Sequence, residues 1–425
     1  MKSSVYNISV PLDNNGILVF NSFSKSFLYL SKKVWHKCFE ENSDVKVDCL
    51  ETKELDILKQ NGFIVDDEVD EYSEALSIKM KTRLNKKTYS VIINPTLDCN
   101  LNCWYCYESH KAGSQIAPKT IESILKHLEL KYVEDKFEHL ELSFFGGEPL
   151  LRTKEVVSII EGASEFCDKQ GVQMRISFTT NGTIIPSNIL SILQNKKILF
   201  QITLDGVKEQ HNSIRGFKNA LNTNSYDIVW RNIRKLLSTL DDIHLCLRIN
   251  FDNNTFDEYS DLVEQILSLD KECLTVSLQK VWQVNSNLIN YEKVFDFINI
   301  LQEHKVNVSF LDFSNGETTC YADKLNSAII NYDGSVFKCT ARDFNISHSV
   351  GELIQNGDII WNYDKLKEYS FSKIPSKCQN CKLFPSCPGI CSQKIIDMGD
   401  EAPCYIGKPF SIEDYVLFNY KLKTL

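Results

Sequence analysis

Cys99, Cys103 and Cys106 stand in a C-x3-C-x2-C spacing just past an apolar, strand-like run, Ser90 to Thr96. The spacing gathers these thiols on one loop and leaves a fourth ligand position empty. A four-iron cluster ordinarily takes four cysteine ligands, so a loop offering three suggests one iron kept open for a small molecule. The same residues suit most of a zinc site completed from a distance, or buried thiols packed as small hydrophobes. Spacing alone leaves these readings open. Downstream, Ser143-Phe144-Phe145-Gly146-Gly147-Glu148-Pro149 ends a second strand-like run in a Gly-Gly-Glu-Pro turn. Glycine there lets a ligand approach the backbone, and proline stops the strand.

The C-terminal third carries a second cysteine set. Cys320 and Cys339 are followed by Cys378, Cys381, Cys387 and Cys391 in a C-x2-C-x5-C-x3-C array, and then by Cys404. Gly334 stands five residues before Cys339. A C-x2-C array by itself reads as a zinc ribbon.

Taken together, the triad and the Gly-Gly-Glu-Pro turn resemble the radical S-adenosylmethionine enzymes. That resemblance implies a four-iron, four-sulfur cluster on Cys99, Cys103 and Cys106, with Tyr105 in the family's aromatic position before the third cysteine. S-adenosylmethionine would bind the open iron, its amino group met by the Gly146, Gly147 and Glu148 turn. One electron would cleave it to methionine and a 5′-deoxyadenosyl radical that takes a substrate hydrogen. The cofactor carries such chemistry while the protein orients it. The complete C-terminal pattern, C-x13-G-x4-C, gap, C-x2-C-x5-C-x3-C, gap, C, resembles the SPASM domain of the same enzymes. Its interleaved ligation implies one auxiliary cluster on Cys320, Cys339 and Cys391 and another on Cys378, Cys381, Cys387 and Cys404, three clusters in all. The first set lacks a fourth ligand, because Ser314 stands where some members have cysteine.

These residues need a scaffold, and the periodicity supplies one. Strand-like runs near His139 to Gly147, Gln173 to Thr180, Leu199 to Asp205, His244 to Phe251 and Leu274 to Val281 alternate with helical periods. The helical stretches are Lys119 to Tyr132, Lys154 to Lys169, Ser187 to Gln194, Tyr226 to Thr239 and Phe256 to Ser268. Alternation of this kind argues a parallel sheet with right-handed crossovers. Counting from the first run gives six β/α units, an α/β fold of partial (β/α)6 TIM-like barrel type.

In such barrels the working residues lie where strands end. Asn181, Thr203, Arg248 and Asn250 fall at those places. Asn181-Gly182 and Asp205-Gly206 are individually plain turn dipeptides, but their co-occurrence at successive strand ends points toward cofactor contact. The resemblance implies that Asn181 and Thr203 lie near the methionine carboxylate or the ribose, and that Arg248 and Asn250 line the cavity floor. Arg215 suits a carboxylate contact, but base rates favour a solvated arginine. Cys38, Cys49, Cys167, Cys246 and Cys273 lack paired spacing and read as core thiols. Trp282, at the end of the sixth strand, suits either a peptide contact or the core. No catalytic base stands out.

Fifteen cysteines without an apolar signal region argue against a secreted disulfide framework. No segment has the length to span a bilayer, so a cytoplasmic protein is expected. A net charge of -9 without a basic block argues against nucleic acid as a partner. The division expected is 1–88, a small α+β and winged-helix-like domain; 89–310, the barrel; and 311–425, the SPASM domain. The first resembles extensions that bind a leader peptide as an added strand. The function implied is a radical peptide maturase that closes a carbon-carbon or thioether crosslink in a ribosomally made precursor. It would draw electrons from an external donor such as flavodoxin or ferredoxin. A sulfatase-maturing enzyme making formylglycine and a peptide epimerase are the rival enzymes, and a metal-bearing interaction module is the non-enzymatic rival.

Overall fold

A computed structural model of the chain describes residues 1–12, 16–39, 51–219, 224–311, 319–372, 374–404, 406–407 and 409–424. Cys49 and Ser314 lie outside the described residues. Two compact units emerge. One comprises residues 85–310 and 326–367, the other 1–84, 311–325 and 368–425.

The larger unit is built on strands β1 (Thr88–Asn94), β2 (His139–Phe144), β3 (Gln173–Thr180), β4 (Lys197–Leu204), β5 (Ile243–Phe251), β6 (Leu274–Lys280) and β7 (Asn307–Ser309). All pair in parallel with their sequence neighbours. Helices α1 (Pro118–Asp135), α2 (Thr153–Gln170), α3 (Ser187–Leu193), α4 (Lys208–Ile214), α5 (Ser225–Thr239), α6 (Ser260–Leu267) and α7 (Tyr291–Glu303) form the crossovers. This is the expected β/α alternation, six strand-helix units with β7 added at the edge. Beyond β1 the sheet continues through β8 (Ser327–Asn331), parallel to β1, and then antiparallel through β9 (Ser335–Phe337), β10 (Gly351–Leu353) and β11 (Ile359–Trp361). The order β7-β6-β5-β4-β3-β2-β1-β8-β9-β10-β11 is linear, which makes an open, partial barrel.

Local signals account for the helix ends. Pro118 opens α1, where its missing N–H is harmless, and α2 stops at Gly171, which is left-handed at φ 70°. One face of the sheet is apolar and fully buried: Phe144, Phe178 and Phe200 are in register on adjacent strands and stack at centroid separations of 5.1 and 4.7 Å. The opposite face, one residue out of phase, is polar. Ser143 and Ser177 share a hydrogen bond of 2.6 Å there, and Gln201, Thr203, Arg248 and Asn250 follow on the neighbouring strands. A polar face within a barrel leaves room for a ligand.

The other unit joins both ends of the chain. Antiparallel strands Asn7–Pro11, Gly16–Asn21 and Ser26–Ser31 precede helices Lys32–Phe39 and Thr52–Gln60, and Lys2–Ser3 pairs with Ile64–Val65. Helix Glu71–Arg83 follows. Ile8, Val10, Leu18 and Phe20 pack with Leu383, Tyr415 and Val416 in one core that also touches Cys381 and Cys387. Arg83 and Asp323 form a buried ion pair at 3.4 Å. Among the described residues no helix is long and apolar enough to cross a membrane.

Candidate active site

The loop after β1 is fixed before any ligand arrives. Asp98 gathers it, accepting from the backbone N–H groups of Cys99 and Gly113, both at 2.9 Å. Asn102 N–H donates to Gly216 O and Lys218 N–H to Asn100 O, which ties the loop to the segment after α4. Cys99 is buried, and Cys103 and Cys106 are half-buried on the same cavity.

Gly146 and Gly147 make the contact between the β2 turn and this loop. Gly147 N–H donates to Thr96 O and Glu148 N–H to Asp98 O. A Cβ on Gly146, whose φ is +114°, would sit 2.3 Å from Thr96 O, and one on Gly147 would sit 2.2 Å from Asp98 O. Both glycines line the cavity, but it is the cysteine loop's own backbone that demands the missing side chains. The Glu148 side chain does not line the cavity. Fully buried, it accepts from Leu150 N, Asn181 N and the Thr180 hydroxyl, so it braces the ends of β2 and β3. Burial pushes its carboxyl up to about 6, against the pull of those donors.

Asn181 reaches the cysteine loop: its Nδ2 donates to Asn100 Oδ1 at 2.8 Å and lies 3.7 Å from Cys99 Sγ. Tyr105 is the centre of a second network. Its hydroxyl donates to Asp205 Oδ2 at 2.6 Å and accepts from Arg215 Nη1 at 2.7 Å and Asn250 Nδ2 at 3.0 Å. Arg248 Nε in turn donates to Asn250 Oδ1, and Thr203 lines the cavity alongside. Arg215 corrects the expectation of a solvated side chain: it is 7% exposed, lines the cavity and pairs with fully buried Asp205. Asp205, marked by its place at a strand end, belongs to the same network.

The residues fit an iron-sulfur cluster and a polar cofactor. Burial pushes the Cys99 thiol up to about 12 and raises Cys103 and Cys106, so a metal must displace their protons. Asp205 Oδ1 and Arg215 Nε are buried without a hydrogen-bond partner, unused polar capacity beside the triad.

Three cavity neighbours were not singled out from sequence. Glu108 is two residues past Cys106, and burial with the nearby Asp343 pushes its carboxyl up to about 9. Tyr107 stacks on Trp282 with centroids 5.2 Å apart, and both rings are exposed, which removes Trp282 from the core. His110 Nε2 stands 3.5 Å from Cys106 Sγ. Only their position after the third cysteine could have signalled them.

In the other unit, Cys378, Cys381 and Cys387 are half-buried and Cys404 exposed. Each of the first three lies within electrostatic reach of Cys404. Cys320 and Cys391 belong to the same unit, whereas Cys339 lies in the barrel unit within electrostatic reach of Tyr107. Of the cysteines expected in the core, Cys167 is buried, Cys246 and Cys273 are half-buried, and Cys38 belongs to helix Lys32–Phe39.

Residues 93–266 match the radical SAM superfamily, and residues 320–382 match the SPASM iron-sulfur cluster-binding domain. The chain is a radical SAM enzyme with a SPASM domain. The first of these domains brings S-adenosylmethionine and a four-iron cluster, the second auxiliary iron-sulfur clusters. A cysteine-type anaerobic sulfatase-maturating enzyme of Clostridium perfringens is 24% identical over 71% of this chain and 88% of its own. The radical SAM cyclopropyl synthase TigE of Paramaledivibacter caminithermalis is 22% identical over 91% of this chain and 85% of its own. Among solved structures, anSMEcpe with bound AdoMet shares the fold, with a TM-score of 0.58 and 20% identity over 79% of this chain and 92% of that one.

Proposed function

We propose that this enzyme modifies a ribosomally made precursor peptide and closes an intramolecular carbon-carbon or thioether crosslink. The observation that carries the reading is the exposed Tyr107–Trp282 pair beside the cysteine-lined cavity. A stacked aromatic surface at a cavity suits a polypeptide, which presents side chains rather than a compact small molecule. The match to a cyclopropyl synthase along nine-tenths of the chain supports carbon-carbon bond formation.

Cys99, Cys103 and Cys106 would hold the radical cluster, with Tyr105, Gly146, Gly147, Asn181, Thr203, Arg215, Arg248 and Asn250 around the cofactor. Glu148 acts through its backbone and as a brace. Cys378, Cys381, Cys387 and Cys404 would hold one auxiliary cluster, and Cys320, Cys339 and Cys391 belong to the pattern of another. When bound, these groups supply hydrogen abstraction and an acceptor for the second electron of the oxidation. The chain's residues bind, orient and keep water from the reacting carbon. In this reading residues 1–88 recognise a leader through a winged-helix-like element, residues 89–310 carry the chemistry and residues 311–425 the auxiliary clusters. The setting is cytoplasmic, and flavodoxin or ferredoxin is the electron donor.

The sulfatase-maturating relative favours a second reading, formylglycine formation on a protein substrate. Anaerobic coexpression with short peptides encoded beside the gene, followed by high-resolution mass spectrometry, separates them. A loss of two hydrogens that fragmentation maps to two joined residues marks an oxidative crosslink, and the same loss at a single serine marks an aldehyde. An unchanged mass that gains deuterium in heavy water marks epimerisation. An unchanged mass without deuterium removes both and leaves the sulfatase reading. Alanine at Cys99, Cys103 and Cys106 should abolish S-adenosylmethionine cleavage and leave auxiliary iron, and retained cleavage refutes the site.

A further inference from the structure

Glu108 sits on the cysteine loop, two residues past Cys106, and lines the cavity. Both of its carboxylate oxygens are shut off from solvent and neither has a hydrogen-bond partner. A carboxylate offers about four lone-pair sites, and burying it unpaired costs a few kcal/mol or more. Folded proteins leave few such groups, and those few call for a ligand, an ion or a catalytic role.

The surroundings narrow the ligand. Neither arginine of the cavity donates to Glu108: Arg248 donates to Asn250, and Arg215 to Tyr105 and Asp205. Two buried carboxylate oxygens without a donor are matched by a group that brings both N–H donors and positive charge. Next to Glu108 in sequence is Tyr107, whose ring stacks on exposed Trp282. Aromatic faces attract ammonium and guanidinium groups, and long basic side chains lay their alkyl stems along apolar surface with the charged head beyond.

We propose that Glu108 and the Tyr107–Trp282 pair form a subsite for a basic side chain, lysine or arginine, of the peptide substrate. The aromatic pair takes the stem and Glu108 the charged head, which brings the basic residue or its neighbour beside the cysteine triad. Glu108 is thus a specificity-determining residue. This inference rests on the peptide reading above.

The test uses the anaerobically reconstituted full-length enzyme loaded with S-adenosylmethionine. Three acetylated, amidated probe peptides, Gly-Gly-Xaa-Gly-Gly with Xaa lysine, arginine or norleucine, are titrated by calorimetry. The basic probes should bind about tenfold more tightly than norleucine, the ratio one charge-assisted hydrogen bond gives. Glu108→Gln should reduce that preference to near unity while leaving S-adenosylmethionine affinity in place. Should Glu108→Gln fail to take up iron, Trp282→Leu at an exposed position reads the same ratio, which should narrow. Equal binding of the basic and norleucine probes to the native enzyme overturns the assignment alone. A parallel fall in S-adenosylmethionine affinity in Glu108→Gln also overturns it, by making the cofactor's own cation the partner. Absence of binding by any probe overturns the peptide reading together with it.

Discussion

The hydroxyl of Tyr105 lies 2.6 Å from Oδ2 of Asp205, so the aromatic residue within the cysteine triad is held by the carboxylate that follows β4. Arg215 and Asn250 converge on the same oxygen of Tyr105. Tyr105→Phe keeps the ring and deletes this junction, leaving charged partners under-satisfied at a cost of about 2 kcal/mol. The cluster ligands are untouched, so iron content should hold while S-adenosylmethionine affinity falls by roughly tenfold to thirtyfold. Equilibrium dialysis on reconstituted protein checks this, and an unchanged affinity removes the network from cofactor binding.

Gly147 allows two backbones to touch. Its absent Cβ would lie 2.2 Å from Asp98 O, and no side-chain rotation relieves a clash with a carbonyl. Gly147→Ala should displace the cysteine loop and lose the radical cluster, a deficit of about four irons per chain, with auxiliary iron retained. Gly113→Ala is the control: its φ of +70° makes alanine strained, but nothing lies within 4 Å. It should lower stability by about 1 kcal/mol and keep its iron.

Acid should weaken the barrel through His127. On α1, His127 donates from Nδ1 to Gly357 O, a pure acceptor, and so accepts at Nε2 from the Tyr89 hydroxyl at 2.7 Å. That geometry needs the neutral ring, and burial lowers its pKa from 6.5 to about 4. Between those values the unfolded histidine binds a proton that the folded one refuses, so stability is lost as the pH falls from 6.5 towards 4. The loss approaches about 3 kcal/mol. The stability difference between the native protein and His127→Gln should shrink by that amount across the window, measured by denaturant unfolding. A difference independent of pH would show that His127 is protonated when folded.

Lys79, in the helix Glu71–Arg83, is almost fully buried, donates to Cys387 O at 2.5 Å and lies 5.0 Å from the Phe384 ring centre. Burial lowers its pKa to about 8, and the Cys387 and Cys378 thiols act against that shift. With a cluster on Cys378, Cys381, Cys387 and Cys404, Lys79→Met should make its reduction potential more negative by about 0.1 V. That is the effect of one unit charge at roughly 6 Å with an effective dielectric near 20. Lys79→Arg should preserve it. A redox titration followed by electron paramagnetic resonance decides, and equal potentials in Lys79→Met and native protein dismiss the role.

The barrel was legible because its strands are apolar on one face and polar on the other, and its helices repeat at three-to-four spacing. The strand run His244 to Phe251 and the helical stretch Ser187 to Gln194 each fall within a residue of their observed bounds. The triad and the Gly-Gly turn were legible because few other folds need those spacings. Asp205 was legible only through its place at a strand end, and Arg215 hardly at all, since an arginine reads as surface until a contact 110 residues away buries it. Strands β9 to β11, three residues each, are too short to show a period. Nor does any local pattern reveal that Tyr6 and Ala75 pack with Phe384.

That last contact sets an order of synthesis. Strands Asn7–Pro11 and Gly16–Asn21 leave the ribosome before the barrel, yet their apolar side chains are completed by Leu383, Tyr415 and Val416, which follow it. The opening segment must therefore wait, partly uncovered, through translation of the whole barrel, the condition under which nascent chains aggregate or need chaperones. A cluster held by the Cys378 to Cys404 thiols would load at the same late moment, so its assembly and the closing of this core would be one event.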